Sequence, residues 1–121
     1  MKSIIISAVV MTILDTIYLT TTRKMMENQI RIIQNKDLAI RVLGAVACYF
    51  FLVFGLYYFI IKEKRSILDA FLFGLVVYGV YETTNYAIFK NWKLLTVLID
   101  ILWGGTLMAT TTYITYKSLS L

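Results

Sequence analysis

Three carboxylates, Asp15, Glu82 and Asp100, interrupt long apolar stretches of the chain. An ionised group in hydrocarbon costs at least ~2.5–3.5 kcal/mol, so acids in such places default to a functional reading. Carboxyl groups gathered in low dielectric cannot all carry charge. The set is therefore expected to share at least one proton, or to hold a cation in its place. Asp15, Glu82, Asp100 and the Asn85 amide are hard oxygen donors of the kind that suit such an ion, although no metal-ligand spacing defines a metal site.

Each acid has polar company on its own helical face. Gly74, Tyr78, Glu82 and Asn85 are spaced i, i+4, i+8 and i+11, with Tyr81 beside them. Asp100 is followed by Trp103 and Gly104, with Thr96 a turn before it and Thr111 further along. Thr12 and Tyr18 flank Asp15 at i−3 and i+3. Residues three and four apart share a face, and lipid cannot satisfy these groups, so the stripes must face one another. Arg41 is the one cation near an apolar stretch that could pair with the acids. Its side chain leans toward the start of its helix, which favours snorkelling to the surface over ion pairing.

The elements that must position these residues follow from composition. The chain has 121 residues, 60% of them hydrophobic and 16% charged, no proline, and a mean hydropathy of +0.75. Soluble domains run nearer ~45–50% apolar and ~25% charged. A spanning helix takes about 20 apolar residues, and the sequence offers four such stretches with little left over. The expected fold is all-α, a single transmembrane domain over residues 1–121 forming an integral membrane four-helix antiparallel bundle. Its helices are expected at about 3–22, 38–61, 67–89 and 94–116. The first is expected to stay in the mature protein, since Asp15 breaks the apolar run and no small-x-small cleavage site follows. Residues 23–37 are too polar to span. Met26, Ile30 and Ile33 opposite Asn28, Arg31 and Asn35 read either as a short interfacial helix or as a structured loop.

Short polar turns at 62–66 and 90–93 make the second, third and fourth helices antiparallel neighbours. Gly44 and Cys48 form a small-x-x-x-small step that would admit another helix closely. Trp92, Tyr57, Tyr58, Tyr113 and Tyr116 fall near span ends, where an aromatic belt is expected. Basic residues divide almost evenly between the two sides, so loop charge fixes no orientation.

Helix rise puts the acids at one depth. Measured from the side that carries the termini (the near side), Asp15 lies ~18 Å in, Glu82 ~22 Å and Asp100 ~21 Å, in a core ~30 Å thick. Other chemistry is sparse. Without histidine, imidazole-built haem or zinc sites are not expected, no cofactor is implied, and the single Cys48 excludes an internal disulfide. The net charge of +5 reads as loops facing lipid headgroups, the expected partners, and not as a nucleic-acid surface.

The motifs Leu14-Asp15 with Tyr18-Leu19, Tyr78-Gly79-x-Tyr81-Glu82-x-Thr84-Asn85-x-Ala87, Trp92, and Asp100-x-x-Trp103-Gly104 resemble a family of small predicted membrane proteins known as domain-of-unknown-function 2177. The likeness spans nearly the whole chain. It departs from the family pattern at Glu82, where aspartate is usual, at Tyr18, where tryptophan is common, and at Lys93, where proline usually follows the tryptophan. The resemblance implies four helices and marks the same polar positions; it brings no activity.

Three functions are compatible with these residues. The first is proton- or cation-coupled transport or conduction, which in four helices would call for a homodimer or larger assembly to frame a path. The second is a structural or assembly protein with the acids as an interhelical staple, worth only ~0.6 kcal/mol per polar contact on average. The third is an intramembrane acid–base enzyme acting on a lipid or isoprenoid, for which no motif is present. A water-filled or ligand-filled cavity touching Asp15, Glu82 and Asp100 separates the first from the second; a dry, fully paired cluster favours the staple.

Overall fold

The computed structural model describes residues 2–34 and 41–120, apart from the side chains of Met26 and of residues 32–34. Four α-helices follow one another: α1 (Lys2–Gln34), α2 (Val42–Leu56), α3 (Ile67–Ile88) and α4 (Leu94–Leu119). Among the described residues four stretches are long and apolar enough to cross a membrane: Lys2–Met25 in α1, Val42–Ile61 formed by α2 and the turn that continues it, Ile67–Ile88 in α3 and Leu94–Leu119 in α4. The protein is thus an integral multi-pass membrane protein with an all-α fold.

The main departure from the expected boundaries is α1, which runs unbroken through the polar segment after residue 22. Nothing there stops a helix. The segment has no proline or glycine, and Arg23 and Glu27 pair at i,i+4, 2.7 Å apart. Hydropathy marks where the helix leaves lipid, not where it ends. Of the predicted interfacial stripe, Ile30 is partly buried while Asn28 and Arg31 are exposed. The Met26 and Ile33 side chains and Asn35 lie outside the described residues, as do residues 38–40 of the expected second span.

Helix α2 ends in a π-helical turn, Tyr57–Ile61, where the Lys62 amide reaches back to the Tyr57 carbonyl at 2.8 Å. Lys64 then takes a left-handed backbone (φ 53°) to reverse the chain. Ser66 caps α3, its Oγ accepting from the Asp69 amide at 3.0 Å, and Tyr116 of α4 donates to the Arg65 carbonyl at 2.8 Å, holding the turn against the bundle.

The helices pack in the order α2–α1–α4–α3, an arc rather than a closed ring. Helices α3 and α4 are the closest pair. A Cβ on Gly74 would stand 2.1 Å from the Gly104 carbonyl oxygen, and one on Gly104 would stand 2.2 Å from Tyr78 Cγ, so the two backbones touch where both residues are glycine. The expected close approach at Gly44 and Cys48 does not occur. Both are exposed, and a Cβ on Gly44 would meet nothing described within 4 Å. Helix α2 leans on α1 instead, and its described contacts with α3 lie beside the connecting turn, where Gly55 and Phe59 meet Phe73.

An apolar core of Met11, Leu56, Ile60, Ile61, Ala70, Leu107 and Met108 fills the near half of the bundle. The outer face of α2 is left to lipid, with Leu43 83% exposed and Phe50 and Phe51 beside it. Beyond the Phe73 contact α2 and α3 diverge, and the space between them opens into the polar layer.

Candidate functional site

Helices α1 and α4 run antiparallel in a register that sets Asp15 against Trp103 and Tyr18 against Asp100. Trp103 Nε1 donates to Asp15 Oδ1 at 2.9 Å, and the Tyr18 hydroxyl donates to Asp100 Oδ1 at 2.9 Å. The two rings are stacked, 4.7 Å between centroids and 3° between planes. Tyr49 on α2 donates its hydroxyl to the second Asp15 oxygen, Oδ2. Both Asp15 oxygens are therefore occupied by donors, one from each helix flanking α1.

Glu82 comes to the layer from α3 and has no exposure. Trp92, in the α3–α4 turn, donates from Nε1 to Glu82 Oε1 at 2.7 Å. The other oxygen, Oε2, is buried and takes no hydrogen bond from any described donor. The carboxyl group of Asp100 lies close enough to interact with this one. Two carboxylates can complete that contact only with a proton or a cation between them.

A cavity of about 460 Å³ lies against this layer. Its lining includes Asp15, Glu82 and Asp100, the phenol rings of Tyr18, Tyr49, Tyr78 and Tyr81, the Trp92 indole, and apolar side chains from α1, α2 and α3. Asp15 and Asp100 keep 7% and 5% of their surface exposed, while Glu82, also in the lining, is fully buried. On the near side the fully buried Met11, Leu56, Leu107 and Met108 close the bundle beneath the site.

The remaining residues singled out in the sequence separate cleanly. Tyr78 packs its ring on Gly104 and lines the cavity. Tyr81 lines it at the rim, 57% exposed. Asn85 is buried one turn beyond Glu82 and is not among the residues that line the cavity. Trp103 acts on the layer through Asp15. Arg41 is exposed at the start of α2 and is not among the residues that line the cavity.

Three polar residues were not picked out as site residues in the sequence. Tyr49 carries no signal beyond its position in an apolar helix. Trp92, expected in the aromatic belt, is 7% exposed and turned inward to Glu82; its place among the motif residues was the available clue. Gln29 is 1% exposed, and its amide nitrogen donates to Thr96 Oγ1 at 2.7 Å while its oxygen accepts from the Lys93 amide at 2.8 Å. It thereby caps α4 from α1, which explains the inward face of the polar end of that helix.

Fold and site together define a class: a small polytopic membrane protein that buries a carboxyl layer against a cavity. The family model described as a predicted membrane protein, DUF2177, matches residues 1–117, and the chain belongs to that family. No curated protein and no solved structure matches the chain.

Proposed function

We propose that the protein is a proton- or cation-coupled membrane transporter in which the Glu82–Asp100 pair is the exchanging site. One observation carries this reading: Glu82 Oε2 is buried without a donor and its carboxyl group faces that of Asp100 at the wall of a cavity. With both groups ionised this oxygen stays unsatisfied, and an unsatisfied buried polar group costs ~1–3 kcal/mol. A proton between the two groups satisfies them, and so does a cation in its place, and mutually exclusive occupancy is what couples two fluxes.

The position of the cavity supports transport over simple conduction. Met11, Leu107 and Met108, fully buried, pack the near half of the bundle, while the cavity lies against the layer. A site at membrane depth with one half of the bundle closed is compatible with alternating access. Asp15 has a different part. With both oxygens bound by Trp103 and Tyr49, it fastens α4 and α2 to α1 and frames the cavity, so the staple reading applies to this acid.

The test is flux in proteoliposomes under an imposed proton or cation gradient. Wild-type protein is expected to dissipate the gradient, and Glu82→Gln and Asp100→Asn to abolish that activity while remaining folded. Vesicles no leakier than protein-free ones under any gradient would overturn the proposal.

A further inference from the structure

The donors and acceptors around the cavity restrict what it can hold. Three of its five aromatic side chains have their polar ends committed to the acids: Tyr18 to Asp100, Tyr49 to Asp15 and Trp92 to Glu82. A ligand therefore meets mainly ring surfaces and carboxyl groups, with Tyr78 and Tyr81 the phenols not bonded to an acid. None of the described lining residues is basic, so an anion finds no counter-charge, and a sugar-like solute finds few donors. A bare metal ion is poorly served as well, since it needs several oxygens converging on one point. Among the described residues no three acidic or thiol groups are placed to hold one. What the lining suits is positive charge spread over an apolar body, attracted by π faces and by a buried negative site.

The mouth points to the same class. Leu19, Cys48 and Tyr81 both line the cavity and stand exposed on the outside of the bundle. All three lie within membrane-spanning stretches, so the opening beside them faces lipid. Leu19, Ile30, Leu52 and Val77 make the remaining wall aliphatic. The volume, about 460 Å³, falls in the ~300–1,000 Å³ range of small-molecule sites.

We infer that the cavity binds lipophilic organic cations, amines or quaternary onium ions, that enter from the membrane and pair their charge with the Asp100–Glu82 carboxyl layer. This rests on the exchange reading of that pair and names its second occupant. The second observation that marks a site, beyond the gathering of acids, is the unpartnered Glu82 oxygen at the cavity wall.

Two probes of the same shape and opposite charge test it: tetraphenylphosphonium and tetraphenylborate. Trp92 and Trp103 are the two tryptophans of the chain, and both hydrogen-bond to the acids, so intrinsic fluorescence of the detergent-solubilised protein reads binding. The phosphonium should quench saturably and bind at least tenfold tighter than the borate, with that preference lost in Glu82→Gln and in Asp100→Asn. Equal affinity for the two ions, or no saturable binding by wild-type protein, overturns the inference without reference to any variant. The two proposals fail separately. Gradient dissipation that depends on Glu82 but is indifferent to the phosphonium removes the substrate class and leaves transport standing. Charge-selective binding without flux removes transport and leaves the site.

Discussion

Tyr18 and Trp103 stack face to face, and each donates a hydrogen bond to the carboxylate on the other's helix: Tyr18 of α1 to Asp100 of α4, Trp103 of α4 to Asp15 of α1. The exchange fixes the register of the two helices at the depth of the site. It also orients both aspartates by donors that cannot follow them if the helices slide. The polar layer is thus divided into an anchored part, Asp15 with its donors, and a part left open to occupancy, Glu82 with Asp100.

Because these contacts share one stack, their removal should be strongly non-additive. Tyr18→Phe and Trp103→Phe each delete one donor to a carboxylate while keeping an aromatic ring, and each should cost ~1.5–3 kcal/mol. The double variant should cost clearly less than the two losses combined, with a coupling of ~0.5–3 kcal/mol. Thermal unfolding in detergent measures the cycle; strict additivity would show that the two bonds act independently.

Glu82→Gln should separate function from stability. The glutamine oxygen can still accept from Trp92 Nε1, and its amide nitrogen, in place of the unsatisfied Oε2, can donate toward Asp100. The variant is expected to melt at or above the wild-type temperature while losing gradient dissipation. A large drop in melting temperature would instead make Glu82 a structural group.

The glycines give a sharper packing test. Gly74→Ala drives a methyl group into the Gly104 backbone, where nothing can give way, and should cost more than the ~1–3 kcal/mol typical of overpacking. Gly79 lies on the same helix with nothing within 4 Å of its would-be Cβ. Gly79→Ala should be neutral or stabilising by up to ~1 kcal/mol. Comparable losses in the two variants would contradict the described α3–α4 contact.

What could be read in advance, and what could not, follows from which quantities are local. Rise per residue is constant in a helix, so counting alone set Asp15, Glu82 and Asp100 at one level, and the structure brings them against one cavity. Rotation and partner choice are not local. Gly44–Cys48 and Gly74–Gly104 look equally suited to close packing, but only the second pair of positions finds a matching backbone. Tyr49 was invisible for the same reason. Helix α2 is apolar on every side, so no pattern announces which face turns to Asp15. Polarity misled at residues 23–34, where the fall in hydropathy reflects exit from lipid and the helix persists to reach Gln29's partners on α4.

Gln29→Ala tests that reach. The substitution leaves the Lys93 amide without its acceptor and Thr96 without its donor, a loss of about 1–3 kcal/mol for buried groups. Hydrogen exchange should report it locally, with the Lys93 amide and the first turn of α4 losing protection before the rest of the helix. Unchanged exchange there would mean that the contact does not hold the end of α4.

The pH dependence of cation binding follows from occupancy of the carboxyl pair. If one site takes either a proton or an onium ion, binding the ion must release the proton, and by linkage acid must weaken the ion's binding. The sign is fixed: affinity falls as pH falls, by up to about tenfold per pH unit where the exchange is one for one. The groups able to contribute are Asp15 and Tyr18 from α1, Cys48 and Tyr49 from α2, Tyr78, Tyr81 and Glu82 from α3, and Asp100 from α4. Of these, Glu82 has the oxygen without a donor, so Glu82→Gln should flatten the dependence, whereas Tyr81→Phe should leave it in place. Tetraphenylphosphonium added to weakly buffered, detergent-solubilised protein should acidify the solution by close to one proton per ion bound. Saturable binding with no proton released would show that ion and proton do not share the Glu82–Asp100 site.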